Sequence, residues 1–353
     1  MKKYVLLLLM SLVAQLGAIR LVPIDSVDVE SLSVADVSWL RSRGATYLAA
    51  GSEQDGLVGK VSVYSFENET LNIVASIDFG TIGDHVAWLQ SRGVDYLAVG
   101  GNDKVAVYRF DASNPEGQRL EEVASATVDS GVVWNVAWLQ SRGVEYLAVG
   151  GTGNMVWLYD FANENLVEVA SAQFDSAVTG LSWLQSRGVD YLAVSGQLGQ
   201  VVVHKLEQGM LEKFAEAPVD TGVRSIAWLQ SRGIVYLTAG KQDKIVMYTF
   251  DASKAAGQRI EQVASVPIDG RALGIDWLQS RGMDYLATGQ AVPNKGLVAV
   301  YSPEDDTLLK VASADFGNIA CSVAWTQSRG MDYLAAGGQN QNGSNVIVYR
   351  LLS

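Results

Sequence analysis

The hexapeptide Trp-Leu-Gln-Ser-Arg-Gly occurs seven times in this chain of 353 residues, and two of the copies carry one substituted letter each. Successive copies start 45 to 50 residues apart, and a Tyr-Leu pair follows each Trp at a constant distance of eight residues. A period of this length is typical of repeat proteins, in which each unit buries its apolar face against its neighbours. Residues 19–353 are therefore expected to form a single repeat domain. The seven Trp residues are Trp39, Trp88, Trp138, Trp183, Trp228, Trp277 and Trp325.

Each repeat divides into four short runs of strand-forming residues. In residues 120–161 these runs are LEEVASATVD, VVWNVAWLQ, VEYLAVGG and MVWLYDF. Runs of this kind, bounded by Gly, Asn, Asp and Ser, predict antiparallel strands, and four strands per unit are typical of a propeller blade. Large and small residues alternate before each Trp, which favours a strand packed on both faces. We therefore predict that the Trp residues lie in the core between units, and that the Gly ends a three-to-five-residue hairpin loop at positive φ.

Residues 86–111, VAWLQSRGVDYLAVGGNDKVAVYRFD, resemble the pattern of the WD-repeat (WD40-like) family. The resemblance extends over residues 19–353 and implies a seven-bladed β-propeller with four antiparallel strands per blade. The chain is a divergent relative because it lacks the family's Gly-His and Trp-Asp dipeptides. Endings such as Tyr64-Ser65-Phe66 replace Trp-Asp. The family's buried His/Asp network therefore does not transfer to this chain, and we expect apolar packing of Trp and Tyr in its place.

The two ends of the repeat region complement one another. The segment IRLVPID, residues 19–25, matches the strand that precedes each Trp strand. The segment NVIVYRL, residues 345–351, matches the last strand of a unit. We therefore predict that the N-terminal strand completes the last blade.

The first eighteen residues differ in character from the repeats. Lys2 and Lys3 precede an apolar run from Tyr4 to Val13, and small residues follow as far as Ala18. The run is shorter than the ~20 residues that cross a bilayer, and the order of features is typical of a secretory signal peptide. We predict a signal peptide over residues 1–18, a secreted or periplasmic mature protein, and no membrane insertion after cleavage. An uncleaved membrane anchor is the alternative.

Charge and residue types argue against several functions. The chain has 26 basic and 38 acidic residues, and without Lys2 and Lys3 the 24 that remain leave a net charge of −14. Such a field repels nucleic acid and anionic lipid, so no nucleic-acid partner is expected. With two His residues and one Cys in the sequence, no metal-ligand spacing or catalytic triad stands out. We expect no metal, no cofactor and a monomeric propeller.

A first candidate binding surface is the polar rim at one mouth of the expected channel. His85 begins the Trp strand of the second repeat, and the matching residues of the other repeats are polar or small. Residues that break the repeat pattern lie beside this position, and aromatic and Arg side chains among them are typical of binding hot spots. The alternative is that a channel mouth is polar simply because it is wet. The predicted rim consists of Asp36, Asp84, His85, Trp134, Asn135, Arg224 and Arg271.

A second candidate surface is a ring of Arg residues on the opposite face. In five repeats an acid follows this Arg, so the Arg could form a hairpin ion pair of little energetic value. The alternative is a multivalent surface for a repetitive or anionic ligand, in which linked sites raise avidity. The acids are Asp95, Glu145, Asp190, Asp284 and Asp332. The ring consists of Arg43, Arg92, Arg142, Arg187, Arg232, Arg281 and Arg329.

Two functions from different classes follow from these observations. The first is a non-enzymatic exported propeller that serves as a scaffold for a protein partner or ligand, with no catalytic residues. The second is an exported, lactonase-like hydrolase that uses His85 and acids at the channel mouth. Both depend on analogy with the fold rather than on a recognised catalytic motif. The buried position expected for the other histidine, His204, makes it a core residue rather than a catalytic one.

Overall fold

The computed structural model describes residues 19–29, 33–53, 59–79, 85–217, 222–304, 307–340 and 343–353. The predicted signal peptide and the rim residue Asp84 lie outside these ranges. The described residues form strands joined by turns, with no helix among them. In particular, this part of the chain has no helix that is long and apolar enough to span a membrane.

The described residues form 26 strands. The first nine are β1 (Arg20–Asp28), β2 (Ser33–Ser42), β3 (Ala45–Glu53), β4 (Gly59–Glu67), β5 (Thr70–Asp78), β6 (His85–Ser91), β7 (Val94–Phe110), β8 (Leu120–Ser141) and β9 (Val144–Gly151). The next nine are β10 (Met155–Ala162), β11 (Asn165–Gln173), β12 (Val178–Ser186), β13 (Val189–Gly196), β14 (Val201–Glu207), β15 (Met210–Ala217), β16 (Val223–Ser231), β17 (Ile234–Lys241) and β18 (Lys244–Phe250). The last eight are β19 (Ile260–Pro267), β20 (Arg271–Ser280), β21 (Met283–Val292), β22 (Lys295–Glu304), β23 (Thr307–Gly317), β24 (Ile319–Ser328), β25 (Met331–Asn340) and β26 (Gly343–Leu352).

The strands assemble into antiparallel sheets that repeat one four-stranded pattern. Four sheets follow the chain directly, in the orders β2-β3-β4-β5, β12-β13-β14-β15, β16-β17-β18-β19 and β20-β21-β22-β23. A fifth has the order β1-β26-β25-β24, so the first strand pairs with the last, as the matching chain ends predict. The repeated four-stranded sheets confirm the all-β prediction and are compatible with a propeller-like fold.

The sixth sheet contains six strands, in the order β11-β10-β9-β8-β7-β6. Its strands β7 and β8 are long, and the two halves of each strand pair with different neighbours. The first half of β7 pairs with β6, and its second half pairs with the first half of β8. The second half of β8 then pairs with β9. Each half of this sheet therefore repeats the strand order of the five four-stranded antiparallel sheets.

The Arg-Gly turns of the hexapeptides are shorter than predicted. In the first repeat Ser42 pairs with Ala45, so only Arg43 and Gly44 lie in the loop. Both have positive φ, 50° for Arg43 and 83° for Gly44. Positive φ at both central residues is the two-residue turn whose twist matches that of the flanking strands. The prediction of a longer loop with a single left-handed residue was wrong, because the strong right-handed twist of a paired hairpin favours this tighter turn.

Indole N–H groups connect five of the seven repeats to a backbone carbonyl of the repeat before them. Trp277 donates instead to the Thr238 hydroxyl at 3.2 Å, and the Trp325 Nε1 has no hydrogen-bond partner among the described residues. Each Trp strand lies at the edge of its four-stranded unit, where half of its backbone groups lack a strand partner. The Trp138 Nε1 donates to the Ala87 carbonyl at 3.1 Å, and the Trp39 Nε1 donates across the chain ends to the Ala324 carbonyl at 3.0 Å. Trp88, Trp183 and Trp228 make the same bond to Ser38, Ala137 and Ser182. These bonds satisfy edge carbonyls and set the spacing between neighbouring sheets.

Aromatic rings fill the space beneath these hydrogen bonds. Trp39 packs edge-on against Phe66 with ring centroids 5.4 Å apart, and Phe66 packs in the same way against Tyr333 at 5.0 Å. The same trio recurs around Trp88, Trp138 and Trp228. Edge-on aromatic pairs contribute ~0.5–1.5 kcal/mol beyond the area they bury. The prediction that Trp and Tyr form the core between units is confirmed.

Hydroxyl groups of the hexapeptides form a second set of links between sheets. The Ser141 Oγ donates to the Asp190 Oδ2 of the next repeat at 2.5 Å, and both side chains are buried. The Gln185 Nε2 donates to the other oxygen of Asp190 at 3.0 Å. Equivalent Ser-to-acid bonds of 2.5 to 2.7 Å join four other junctions. The junction at Ser186 differs from these five, because Val235 occupies the position of the acid. Ser186 therefore has no hydrogen-bond partner among the described residues.

We expect Ser141→Ala to lower the free energy of unfolding by about 1–3 kcal/mol, because it leaves one oxygen of the buried Asp190 carboxylate without its donor. The matched variant Ser186→Ala should change it by less than about 0.5 kcal/mol, because no bond is lost. Urea unfolding followed by Trp fluorescence measures both. Equal effects of the two substitutions would show that the Ser-to-acid bonds contribute little to stability.

Candidate functional site

Two of the predicted rim residues, Asp36 and His85, lie next to each other. The His85 Nδ1 is 3.6 Å from the Asp36 Oδ2, and each side chain is 23% exposed. The Asp36 carboxylate also accepts the backbone N–H of Val37 at 2.9 Å and that of Val86 at 3.1 Å. The Ser322 hydroxyl donates to it at 2.7 Å. Asp36 therefore connects β24, β2 and β6, and its two oxygens are used as acceptors within the framework.

Asp276 performs the same task between β20 and β24, although the sequence analysis did not select it. Its Oδ1 accepts the backbone N–H of Trp277 at 2.9 Å, and its Oδ2 accepts that of Trp325 at 2.7 Å. Burial raises the pKa of the Asp276 carboxyl from 3.8 to about 6, and the charge of Asp36 adds to the rise. The Asp276 side chain is half-buried beside Trp277 and Trp325. It is the only acid at a position where the other repeats have Ala or Ser, which is the sequence signal that could have identified it.

The remaining rim residues are spread over several strands and are not brought together. Asn135 and Trp134 lie half-buried in β8, and Arg224 lies half-buried in β16. Arg271 is exposed at the start of β20, where it lines a cavity of about 650 Å³ together with Lys295. Within the described ranges, the side chains of these four rim residues form no hydrogen bond or ion pair. The structure thus groups Asp36 with His85 and leaves the other rim residues as separate side chains.

His204 is a core residue, as predicted. The side chain is 5% exposed and its ring lies 5.6 Å from that of Phe174. Burial, with a smaller effect of Lys213, lowers the pKa of the imidazole to about 4. The ring is therefore neutral at physiological pH and packs as a substitute for the Tyr of the other repeats.

All seven residues of the Arg ring are exposed, and all have a φ of 50 to 52°. This conformation is unfavourable for Arg, and a hairpin turn of this type prefers Asn or Asp before the Gly. The sequence therefore has Arg in seven separate turns although its backbone conformation there is energetically unfavourable for this residue. Such retention favours a requirement for the guanidinium group over one for the backbone shape.

The expected ion pairs between these Arg residues and the following acids do not form. Each of the five acids accepts from the Ser of the preceding repeat instead, and three of them are buried. The acid lies on the face of its strand that packs against the neighbouring sheet, whereas the Arg lies at the exposed tip of the turn. The ion-pair alternative was therefore wrong, because left-handed backbone at the Arg directs its side chain away from its own hairpin.

Several Arg side chains reach the next turn in the series. The Arg43 Nη2 donates to the Gly93 carbonyl at 3.0 Å, and the Arg142 Nη2 donates to the Gly188 carbonyl at 2.7 Å. Arg232 and Arg281 make the same contact with longer distances. Arg329 donates to the Asn68 side chain, while Arg92 and Arg187 have no polar partner among the described residues. This face is therefore a row of exposed cations, none of which forms an ion pair with an acid of the described residues.

One place on the Arg face departs from the repeat. A cavity of about 950 Å³ lies between the fourth and fifth hexapeptides, and its lining includes Ser186, Arg187, Arg232 and Val235. It coincides with the junction at which Val235 replaces the carboxylate. This cavity was not among the predicted sites, and its signal in the sequence is the absence of an acid after the fifth hexapeptide, where Val235 stands.

Asp276 should give the protein a measurable pH dependence. Because its pKa is about 6 in the folded chain against 3.8 ordinarily, the folded state binds the proton more tightly, and stability falls as pH rises from ~4 to ~6. The loss is at most about 3 kcal/mol. Asp276→Ala, which introduces the residue of four other repeats, should remove this component. Urea unfolding from pH 4 to pH 7 measures it, and parallel pH profiles for the two proteins would contradict the assignment.

The strain in the Arg turns can be measured in a matched pair of variants. Arg92→Asn should raise the free energy of unfolding by about 0.5–1 kcal/mol, because Asn tolerates positive φ and no hydrogen bond is lost. Arg142→Asn gains the same relief but loses the bond to Gly188, so its net change should lie near zero. Thermal and urea unfolding test this. Destabilisation by Arg92→Asn would mean that its side chain contributes to folding.

Comparison with known proteins does not assign the chain to a family. No model of a known protein family matches it, and no curated protein matches it.

Proposed function

We propose that the sheets are the blades of a seven-bladed propeller, a divergent relative of the WD-repeat proteins. The six-stranded sheet then counts as two blades, since each of its halves repeats the four-strand order. The indole bond from Trp39 to Ala324 joins the first Trp strand to the last and supports a ring. Pairing of β1 with β26 completes the seventh blade. The two ends of the Trp strands then surround the two mouths of a central channel.

We propose that this propeller is a non-enzymatic, exported scaffold that binds a protein partner through its Arg face. The observation that carries the proposal is the set of seven exposed Arg residues held at positive φ, which form no ion pair within the described part of the chain. Arg is enriched among residues that dominate binding energy at interfaces. Seven equivalent side chains on one face also favour multivalent contact, in which weak sites combine into a strong one. An acidic partner surface is the complement of this face.

Export from the cytoplasm and the absence of a nucleic-acid partner are parts of the same proposal. Residues 1–18 have the features of a signal peptide, and the net charge of the remaining chain disfavours binding to nucleic acid. The single domain is proposed to act as a monomer. Mass measurement of the protein from the native extracytoplasmic fraction tests the cleavage near Ala18.

The Arg face can be tested with a charge-matched comparison. One variant carries Arg43→Gln, Arg92→Gln and Arg142→Gln, and its control carries Gln at three exposed lysines away from this face, Lys213, Lys295 and Lys310. Affinity capture from the native extracytoplasmic fraction should recover a partner with the wild type and the control, and at least about tenfold less with the Arg variant. Recovery of the same partners by both variants would reject the Arg face as the binding surface.

The alternative is a lactonase-like hydrolase with its site at the other mouth. The observation in its favour is the contact between His85 and Asp36, with the protonatable Asp276 close enough to interact with Asp36. Against it, the oxygens of both carboxylates are already used by backbone N–H groups. His85→Ala separates the two functions, since a hydrolase would lose turnover of lactone substrates, whereas a scaffold would keep its partner. Loss of lactone turnover in that variant would favour the enzyme.

A further inference from the structure

Five junctions between repeats contain a carboxylate in one repeated setting. The Ser hydroxyl of one hexapeptide donates to a carboxylate oxygen of the next repeat at 2.5 to 2.7 Å. At four of these junctions the Gln side chain of the same repeat as the acid donates to the other oxygen at 2.8 to 3.0 Å. Two converging donors make each of these four junctions a receptor for a carboxylate.

The junction between the fourth and fifth repeats retains the donors but lacks the acid. Val235 occupies the position of the acid, so Ser186 has no acceptor within the described part of the chain. The Gln230 Nε2 reaches only the Gln185 carbonyl, at 3.1 Å. At the other junction that lacks an acid, Thr46 donates to Ser328 at 3.5 Å, so a hydroxyl replaces the carboxylate there. Unsatisfied donors therefore occur together at the fourth junction.

This junction is also open to solvent. The cavity of about 950 Å³ between the fourth and fifth hexapeptides is lined by Ser186, Gln230 and Val235, the three residues of the incomplete receptor. Its volume lies within the range of small-molecule sites. We call this space the junction cavity.

The charges around the junction cavity favour an anion. Arg187, Arg232 and Lys254 line it, and Lys254 also pairs with Glu261 outside the lining at 3.3 Å. Asp251 is the single acid in the lining. The Asp251 Oδ1 already accepts the Ser253 hydroxyl at 2.7 Å and the Ser253 backbone N–H at 3.0 Å. Arg187 has no polar partner in the described ranges. A cluster of cations in a chain of net negative charge provides a local attraction for a ligand carboxylate.

The rest of the lining is apolar. Val189, Val235, Tyr191 and Phe250 contribute to the walls beside the donors. A ligand that places its carboxylate on Ser186, Gln230 and Arg187 would bring its adjoining group against these side chains. An aliphatic or aromatic substituent next to the carboxylate fits this arrangement, because it removes apolar surface from water.

We propose that the junction cavity binds a carboxylate ligand that carries an adjoining apolar group. The ligand carboxylate replaces the acid that the other repeats supply, accepting from the Ser186 hydroxyl, the Gln230 amide and the Arg187 guanidinium. A small carboxylic acid and the free C-terminus of a peptide share this chemistry. The proposal rests on the binding role proposed above and adds the chemical class of the ligand.

Titration calorimetry of the whole protein with N-acetyl-leucine tests the proposal, with N-acetyl-leucinamide as the neutral control. We expect the acid to bind at one site and the amide at least about tenfold more weakly, because the charged hydrogen bonds are lost. A pentapeptide that ends in a free Leu carboxylate, compared with its C-terminal amide, separates the two sources. Tighter binding of the peptide than of N-acetyl-leucine identifies a chain end, and equal binding identifies a small acid. Equal binding of the acids and their amides overturns the proposal.

Variants of the cavity give a second, internal test. Val235→Asp supplies the acid found at the other junctions, so it should fold normally and abolish binding of N-acetyl-leucine. Arg187→Gln should weaken binding by about tenfold, while Lys310→Gln, a charge-matched change outside the cavity, should leave it unchanged. Binding that survives both Val235→Asp and Arg187→Gln overturns the proposal. If these carboxylates fail to bind while partner capture remains dependent on the Arg face, the scaffold function stands without this site.

Discussion

The unpaired edge of each Trp strand is the constraint on which the assembly of the sheets depends. An antiparallel sheet ends in a strand whose outer backbone groups need partners, and exposed edges of this kind promote aggregation. Here the neighbouring repeat provides those partners through side chains. Indole N–H groups satisfy edge carbonyls, as in Trp138 with Ala87. Carboxylates satisfy edge amides, as in Asp36 with Val86. The residues that fill the core between sheets therefore also set the order in which sheets follow one another.

The hexapeptide serves the same assembly at its other end. Its Ser donates to an acid of the next repeat, its Gln donates to the acid of its own repeat at four junctions, and several of its Arg residues reach the next turn. Most of the motif is thus explained by contacts between repeats. The guanidinium groups remain exposed even where they reach the next turn, and the fourth junction lacks its acid. The proposed binding functions rest on these two features.

The acids and the histidine at the opposite end of the Trp strands also have a structural explanation. Asp36, His85 and Asp276 have the residue types of a catalytic site, and the pKa of Asp276 is raised to about 6. Perturbed carboxyl groups are candidates for function, but structural networks perturb them as well. Both carboxylates here accept backbone N–H groups from two adjacent strands. Their positions are explained by the edges that they satisfy.

The sequence by itself determined the four-stranded repeat, the pairing of the chain ends and the core role of Trp and Tyr. These features follow from periodicity and side-chain alternation, which are local properties of the chain. Tertiary structure decided the partner of each acid, the role of Asp276 and the junction cavity beside Val235. Each of these depends on residues about fifty positions apart that face one another only after the sheets have packed. The direction of the Arg side chains could not be predicted from the sequence either. It depends on the left-handed backbone of a turn that forms only when the paired strands twist together.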